Sequence, residues 1–221
     1  MTQYRLTDFS AISAPIVMRR ATDVYLALSF TYISLKVLFD YRSGGNSWKQ
    51  GDWLINNAGG EIRRGHFGST LLTISDYFGS SPLLIVALIQ VSVLLILFVS
   101  FRLLITSASN SPTYVLLLVS PAIFTVFWVA DPQGSMRKEL LAFAGLSLCA
   151  LASMQERRLI FWFGVSILCI SFVSHEAMTL FAPTFFGILF ISDFHRIAPK
   201  RAFAASIIVL CFALFSIAFS I

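Results

Sequence analysis

The sequence predicts an all-α polytopic membrane protein with about seven transmembrane helices in a single membrane domain, residues 1–221. Three observations lead to this prediction. Hydrophobic residues make up 57% of the chain and charged residues only 12%, about half of the roughly 25% that is usual in soluble domains. Apolar runs recur along the chain, and the clearest matches the ~20 residues that a helix needs to cross a bilayer. The polar residues are concentrated in one long loop, residues 40–81, and in short segments between the runs.

The apolar runs define the predicted spans, which are residues 23–39, 82–105, 113–130, 140–154, 159–174, 177–191 and 202–221. The second is the clearest, and its Pro82 suits the first turn of a helix. Pro121 predicts a kink in the third span. The last run has no polar tail, as expected if the chain is the N-terminal part of a longer protein.

The predicted orientation follows from the Lys and Arg residues beside the spans, which are enriched on the cytoplasmic side. With a cytoplasmic N-terminus, nine flanking basic residues lie inside and six lie outside. This orientation brings the loop 40–81 and the segments 131–139 and 175–176 to the same, outer face. The net charge of +5 is spread between apolar runs, so it indicates contact with membrane lipids and not with nucleic acid.

Residues 51–68 are the most polar stretch of the chain and the predicted functional centre. The stretch combines five glycines with charged or titratable side chains, which are Asp52, Glu61, Arg63, Arg64 and His66. A largely lipid-soluble chain has few reasons to keep such a loop unless the loop has a function.

The loop carries the groups that bind phosphate. Its segment 56–60, Asn-Asn-Ala-Gly-Gly, is unsuited to a helix interior, and glycine-rich turns present backbone N–H groups to an anion. Arg63 and Arg64 follow, and arginine offers a planar fork of donors suited to phosphate oxygens. In the alternative interpretation, both arginines only fix the loop by pairing with Glu61, with Asp52 or with lipid headgroups.

The end of the loop predicts an amphipathic helix over residues 67–78. Phe67, Leu71, Ile74 and Phe78 recur at helical spacing and form one apolar stripe. Such a helix is expected to lie flat in the headgroup region, and the alternative is a re-entrant or core helix of a periplasmic cap. Trp48 and Trp53 flank the acidic position and suit the aromatic belt at the membrane interface.

Two shorter polar segments share the predicted outer face. Asp131 ends one span, and Arg137, Lys138 and Glu139 open the next. At the bilayer edge such ions are costly unless they are paired or hydrated, and the interpretation favoured for Lys138 is a solvated or snorkelling cation. The other segment, 175–176, is a His-Glu pair without the second histidine of a His-Glu-x-x-His zinc motif. We therefore predict no metal site there, and a histidine that acts on an anion or simply caps a helix.

This layout resembles the membrane glycosyltransferases of the C-type superfamily (GT-C) and the related surface-polysaccharide polymerases of bacteria. The resemblance covers roughly residues 20–195 and rests on Asp52 in the first outer loop, on the helix 67–78, and on the motifs Asp-Pro-Gln-Gly-Ser-Met-Arg-Lys-Glu and His-Glu. The stretch Gly-Gly-Glu-Ile-Arg-Arg-Gly is similar to bacterial polysaccharide-locus membrane proteins. The resemblance implies an enzyme of the bacterial inner membrane. At the outer face, it would move sugar from a polyprenyl-phosphate carrier to a glycan or lipid-linked acceptor.

The resemblance also implies roles for individual residues. Asp52, or Glu61 as second choice, would act as the general base on an acceptor hydroxyl. Arg63, Arg64, Arg137 and His175 would hold the lipid phosphate and stabilise the leaving group. The other substrate-binding candidates are His66, Asp131, Lys138, Glu139 and Glu176. A divalent cation could join Asp52, Glu61 and Asp131, but the sequence requires no cofactor.

Two other classes of function fit the composition. A transporter or flippase of an anionic lipid-linked glycan would place polar groups at mid-membrane and show internal repeats, whereas the middles of these spans are nearly bare. A non-catalytic membrane subunit would have no cavity near Arg63 and Arg137.

Overall fold

A computed structural model describes residues 16–60, 65–107, 136–192 and 197–218. The described residues are helical, with turns between the helices and no strand. The elements are α1 (Ile16–Arg42), α2 (Gln50–Leu54), α3 (Gly65–Phe78), α4 (Pro82–Ser107), α5 (Glu139–Gln155), α6 (Arg158–Ser174), a 3-10 helix (Glu176–Phe181), α7 (Ala182–Ile191) and α8 (Pro199–Ala218). The predicted all-α class is confirmed for this part of the chain.

Three of the described helices are long and apolar enough to cross a membrane, which supports the prediction of a membrane protein. They cover Arg20–Arg42, Pro82–Ile105 and Pro199–Ala218. The predicted number of about seven is supported only in part. Helices α5 and α6 are apolar but only 17 residues long, about 25 Å at 1.5 Å per residue, against a hydrocarbon core of ~30 Å. The third predicted span, 113–130, lies outside the described residues.

The sixth predicted span is not a continuous α-helix, and that part of the prediction is wrong. The chain forms a 3-10 helix over Glu176–Phe181 and then begins α7 at Ala182. Pro183 lies in the first turn of α7, where its missing N–H leaves no hydrogen bond unmade. Inside a longer α-helix, the same proline would remove a hydrogen bond and clash with the preceding turn. The remaining α-helix has 10 residues, about 15 Å in length.

Helices α1 and α4 are antiparallel and are joined by the long loop. At one end of the pair, which we call the loop end, Gly45 packs against the side chain of Leu83. At the far end, the Arg102 guanidinium donates two hydrogen bonds to the Asp23 carboxylate, of 2.7 and 3.2 Å. One contact joins the end of α1 to the start of α4, and the other joins the start of α1 to the end of α4, so the two helices are antiparallel.

Helix α5 also begins at the loop end, because the Met136 carbonyl just before it accepts a hydrogen bond from Trp53 in α2. Helix α6 runs back antiparallel to α5, with Gly145 against Gly164. The C-terminal end of α6, with His175, therefore lies at the loop end too. Helix α8 packs on α6, and the Ser216 hydroxyl donates to the Phe172 carbonyl at 2.8 Å.

The turn between α5 and α6 contains Glu156 in the left-handed conformation, with φ of 55°. This conformation favours glycine at the end of a helix. We expect Glu156→Gly to raise the free energy of unfolding by about 0.5–1 kcal/mol, because it relieves the clash of the Cβ atom. The measurement is unfolding of the purified protein in a denaturing detergent. As the matched control, Met154→Gly in the last turn of α5 should lower stability, and an equal loss in both variants would contradict the left-handed turn.

Candidate functional site

The acidic part of the loop is inserted into the helical bundle through α2. Gln50, Asp52 and Trp53 are all buried. The Trp53 indole N–H and the Gln90 amide both donate to the Met136 carbonyl, at 2.8 and 2.7 Å, and the Gln50 amide donates to Gln90 at 3.2 Å. Gln90 lies eight residues after Pro82 in α4, about 12 Å along the helix axis. The loop therefore enters the bundle, and the prediction that Trp53 lies in the interfacial belt is wrong.

The predicted amphipathic helix exists as α3. Of its apolar stripe, Leu71 is buried, whereas Ile74 is 38% and Phe78 is 69% exposed. The face that packs on the protein carries small residues at helical spacing around Leu71, namely Gly65, Gly68 and Ser75.

Close backbone contact explains why glycines form this inward face. A Cβ atom at Gly68 would clash with the carbonyl oxygen of Ile55, and one at Gly65 would clash with the Asn57 side chain. The Ser69 hydroxyl accepts a hydrogen bond from the Asn57 N–H at 3.1 Å. The N-terminal turns of α3 are thus seated on residues 54–57. The segment 56–60 is non-helical, as predicted.

Asp52, Arg137 and Glu139 form a charged cluster at the loop end. One Arg137 Nη atom lies 3.9 Å from an Asp52 oxygen and 3.9 Å from a Glu139 oxygen. The Lys138 backbone N–H donates to the second Asp52 oxygen at 3.4 Å. The Asp52 side chain is only 8% exposed, while those of Arg137 and Glu139 are 31% and 29% exposed. The cluster therefore joins a buried carboxylate to two groups that solvent or a ligand can reach.

The two Arg137 contacts in this cluster are longer than the described ion pairs of Lys49 and Arg102. Lys49 contacts Asp40 at 2.6 Å, and Arg102 contacts Asp23 at 2.7 Å. Charge-assisted hydrogen bonds are normally about 2.7–2.9 Å. In addition, Arg137 Nε and Glu139 Oε2 are buried without a hydrogen-bond partner among the described residues. The cluster is close enough to interact electrostatically, but it retains unused donors and acceptors.

Lys138 is fully buried, so the interpretation as a solvated cation is wrong. Its ammonium lies 5.9 Å from the centroid of the Phe67 ring, within the range of a cation–π contact. Trp53 also packs edge-on against Phe67, with ring centroids 5.9 Å apart. The Lys138 side chain therefore lies inside the protein, against Phe67 of α3.

The two described histidines of the predicted site lie in different surroundings. His66 is exposed on α3, with its Nδ1 atom 3.4 Å from the Asn57 amide nitrogen. His175 is buried, and its Nδ1 accepts the Ala177 N–H at 3.1 Å, which caps the 3-10 helix. Glu176 lies 3.8 Å from the same nitrogen. A nitrogen that accepts a hydrogen bond carries no proton, so the pair matches the capping alternative.

Four predicted site residues, Glu61, Arg63, Arg64 and Asp131, lie outside the described residues. Within the described ranges, no group of three or more His, Cys, Asp or Glu side chains could hold a metal ion. The structure adds a feature that the sequence analysis missed, the hydrogen-bonded set of Gln50, Gln90 and Trp53. Gln90 is a polar amide inside the most apolar predicted span, and this is the signal in the sequence that could have identified it.

Comparison with protein-family models, with curated proteins and with solved structures finds no match to this chain.

Proposed function

We propose that this protein is a membrane glycosyltransferase or polysaccharide polymerase that uses a polyprenyl-phosphate-linked sugar at the outer face of the bacterial inner membrane. The observation that supports it best is the loosely paired cluster of Asp52, Arg137 and Glu139. The described ion pairs of Lys49 and Arg102 close more tightly, at 2.6 and 2.7 Å. Long contacts and unused hydrogen-bonding atoms are instead expected of a site that awaits a ligand.

In the proposed reaction, Asp52 is the general base. Its two contacts, of 3.4 and 3.9 Å, leave lone pairs available for an acceptor hydroxyl. Asp52 takes the hydroxyl proton, and the hydroxyl oxygen forms a bond to the anomeric carbon of the donor sugar. The bond between that carbon and the lipid phosphate oxygen breaks, and its electron pair stays on the phosphate.

The departing phosphate gains negative charge, which Arg137 is suited to stabilise. Its Nε atom is a donor without a partner among the described residues, and its side chain is 31% exposed. Donors directed at developing charge in a site of low dielectric constant are among the largest contributions to catalysis. Arg63 and Arg64, which directly precede α3 in the sequence, are proposed to assist. Glu139 would orient the Arg137 guanidinium.

The transporter alternative requires polar groups that serve a passage through the membrane. The amides of Gln50 and Gln90 are buried beside α4, and both are hydrogen-bonded to each other or to backbone. Satisfied amides of this kind stabilise the insertion of α2 and do not need a solute to complete them. They therefore favour a structural role over a transport path.

The experiment replaces Asp52 by asparagine, which keeps the shape of the side chain and removes the base. In cells whose own copy of the gene is deleted, we expect Asp52→Asn to lower surface-glycan output by about 10²–10⁴-fold per molecule of protein. Glycan is quantified against the amount of protein in the membrane.

The matched control is Asp23→Asn, an acid-to-amide change in an exposed ion pair at the far end of the bundle. Since exposed pairs stabilise a protein by only ~0–1 kcal/mol, this variant should keep wild-type output. Normal glycan from Asp52→Asn at a normal protein level would remove Asp52 as the base. A loss in Glu61→Gln alone would move that role to Glu61.

A further inference from the structure

Four parts of the chain meet at the far end of the bundle, opposite to the loop end. The hydrogen bonds between Arg102 and Asp23 bring the start of α1 and the end of α4 there. The turn between α5 and α6 lies there too, because α5 begins at the loop end and α6 runs back antiparallel to it. Near the C-terminus of α8, Ser216 contacts Phe172 close to the loop end of α6, so α8 begins at the far end.

The two ends of the bundle differ in their balance of charge. Among the described side chains, six basic and two acidic residues give the far end a net charge of +4; they are Arg20, Arg102, Arg157, Arg158, Lys200 and Arg201, with Asp23 and Glu156. The loop end and the adjoining part of α1 carry five residues of each sign; they are Lys36, Arg42, Lys49, Arg137 and Lys138, with Asp40, Asp52, Asp76, Glu139 and Glu176. In the described part of the chain, the excess of positive charge therefore lies at the far end.

Exposed apolar side chains lie about one turn or less from these basic residues, on the side toward the middle of the bundle. Close to Arg20, Arg102, Arg158 and Lys200, they are Val24, Val99, Leu159 and Phe203, which are 47–87% exposed. Three of the helices concerned are long and apolar enough to span a membrane, and their spans have the far-end limits Arg20, Ile105 and Pro199. Charged side chains that lie outside exposed apolar ones are typical of the boundary between water and hydrocarbon.

We propose that the far end binds the headgroups of anionic phospholipids, such as phosphatidylglycerol, at one membrane surface. Five of its six basic residues are arginines, whose planar fork of donors suits phosphate oxygens, and basic residues beside a membrane attract anionic lipids. A phospholipid joins its phosphate to hydrocarbon chains, so it matches both the basic residues and the exposed apolar residues next to them. An acidic soluble protein would match only the charge. The proposal goes beyond the proposed function and does not involve the Asp52 cluster.

The test measures which phospholipids lie against the protein. The purified full chain is reconstituted in phosphatidylcholine vesicles that contain a trace of phosphatidylglycerol or phosphatidylcholine with a spin label on the acyl chain. Electron spin resonance gives the fraction of each labelled lipid that the protein immobilises. We expect a preference for phosphatidylglycerol of about two- to fivefold, the upper value being the factor for one basic residue beside one headgroup. Sodium chloride at about 1 M should reduce this preference, because salt screens exposed charges.

A pair of double variants separates the far end from the charge of the whole protein. Arg157→Gln with Arg158→Gln removes two exposed charges at the far end and should lower the preference for phosphatidylglycerol by about half or more. The matched control, Lys36→Gln with Arg42→Gln, removes two exposed charges from the part of α1 nearer the loop end and should keep the wild-type preference. Both double variants have the same net charge, and circular dichroism checks that both keep the wild-type helix content.

Three results would overturn the proposal. Equal immobilisation of the two lipids by the wild type would show that the far end does not select anionic headgroups. Equal losses in the two double variants would show that the preference follows total charge and not the far end. If inorganic phosphate abolished the preference while sodium chloride of the same ionic strength did not, the ligand would be a free anion. Asp52→Asn should keep the wild-type preference, so loss of the proposed base and loss of the lipid surface are distinguishable.

Discussion

Gly145→Val is expected to lower the free energy of unfolding by about 2–3 kcal/mol, the cost of forcing extra volume into a packed helix interface. A Cβ atom at Gly145 would lie 2.9 Å from the Gly164 carbonyl oxygen and 2.9 Å from the Leu168 backbone nitrogen. Both are backbone atoms, so the clash is relieved only when α5 and α6 move apart. In a membrane, helices associate largely through such close packing of small residues, because lipid is as apolar as the side chains.

The matched control is Gly187→Val in α7, where a Cβ atom would meet nothing within 4 Å. Both variants place the same β-branched residue inside a helix, so their difference isolates the close approach of α5 to α6. Stability is measured as the folded fraction of purified protein against increasing denaturing detergent. Equal losses in the two variants would show that Gly145 does not contact α6.

The sequence predicts the helices well because their signal is local. The described helices α1, α4, α5, α6 and α8 fall within or around predicted spans, since a run of apolar residues is itself the physical requirement for a membrane helix. Pro183 is the exception. The run 177–191 is apolar throughout but is divided into a 3-10 helix and α7. A hydropathy pattern does not show this division, because it takes no account of the N–H that proline lacks.

The inward face of α3 could not be predicted from periodicity. The hydrophobic stripe predicts an apolar face, and its residues Ile74 and Phe78 are exposed on the surface of the protein. The real contact is made at Gly68, where the absence of a side chain lets the helix approach Ile55. A glycine in the sequence does not by itself show which segment approaches it closely. The same limit applies to Gly145 and Gly164.

The candidate site was predictable in its composition but not in its depth. Alternation of spans predicts that the loop and the segments 131–139 and 175–176 share one face, and the described parts of all three lie at the loop end. Nothing in the sequence indicated that α2 enters the bundle, because Trp53 is as suitable for an interface as for a core. The Trp53 indole donates to the Met136 carbonyl, and the sequence does not show which backbone carbonyl accepts such a hydrogen bond.

The insertion of α2 leads to the second large prediction. Trp53→Ala is expected to lower the free energy of unfolding by about 3–5 kcal/mol, as is usual for truncating a buried tryptophan. Trp53 is fully buried, donates to the Met136 carbonyl at 2.8 Å and packs against Phe67. Loss of the indole leaves a cavity where α2, α3 and the start of α5 meet. On the proposed function, it should also reduce glycan output, because Met136 is followed directly by Arg137.

Trp48→Ala is the matched control, since Trp48 lies in the same loop but is 65% exposed. It should change the free energy of unfolding by no more than about 0.5 kcal/mol, as is usual for surface positions. Trp53→Phe separates the two contributions of the indole, because phenylalanine keeps much of the ring volume but loses the hydrogen bond, at a cost of about 1 kcal/mol. Unfolding in detergent measures all three variants. If Trp53→Ala were as mild as Trp48→Ala, α2 would not be anchored in the bundle, and Asp52 would not be held beside Arg137.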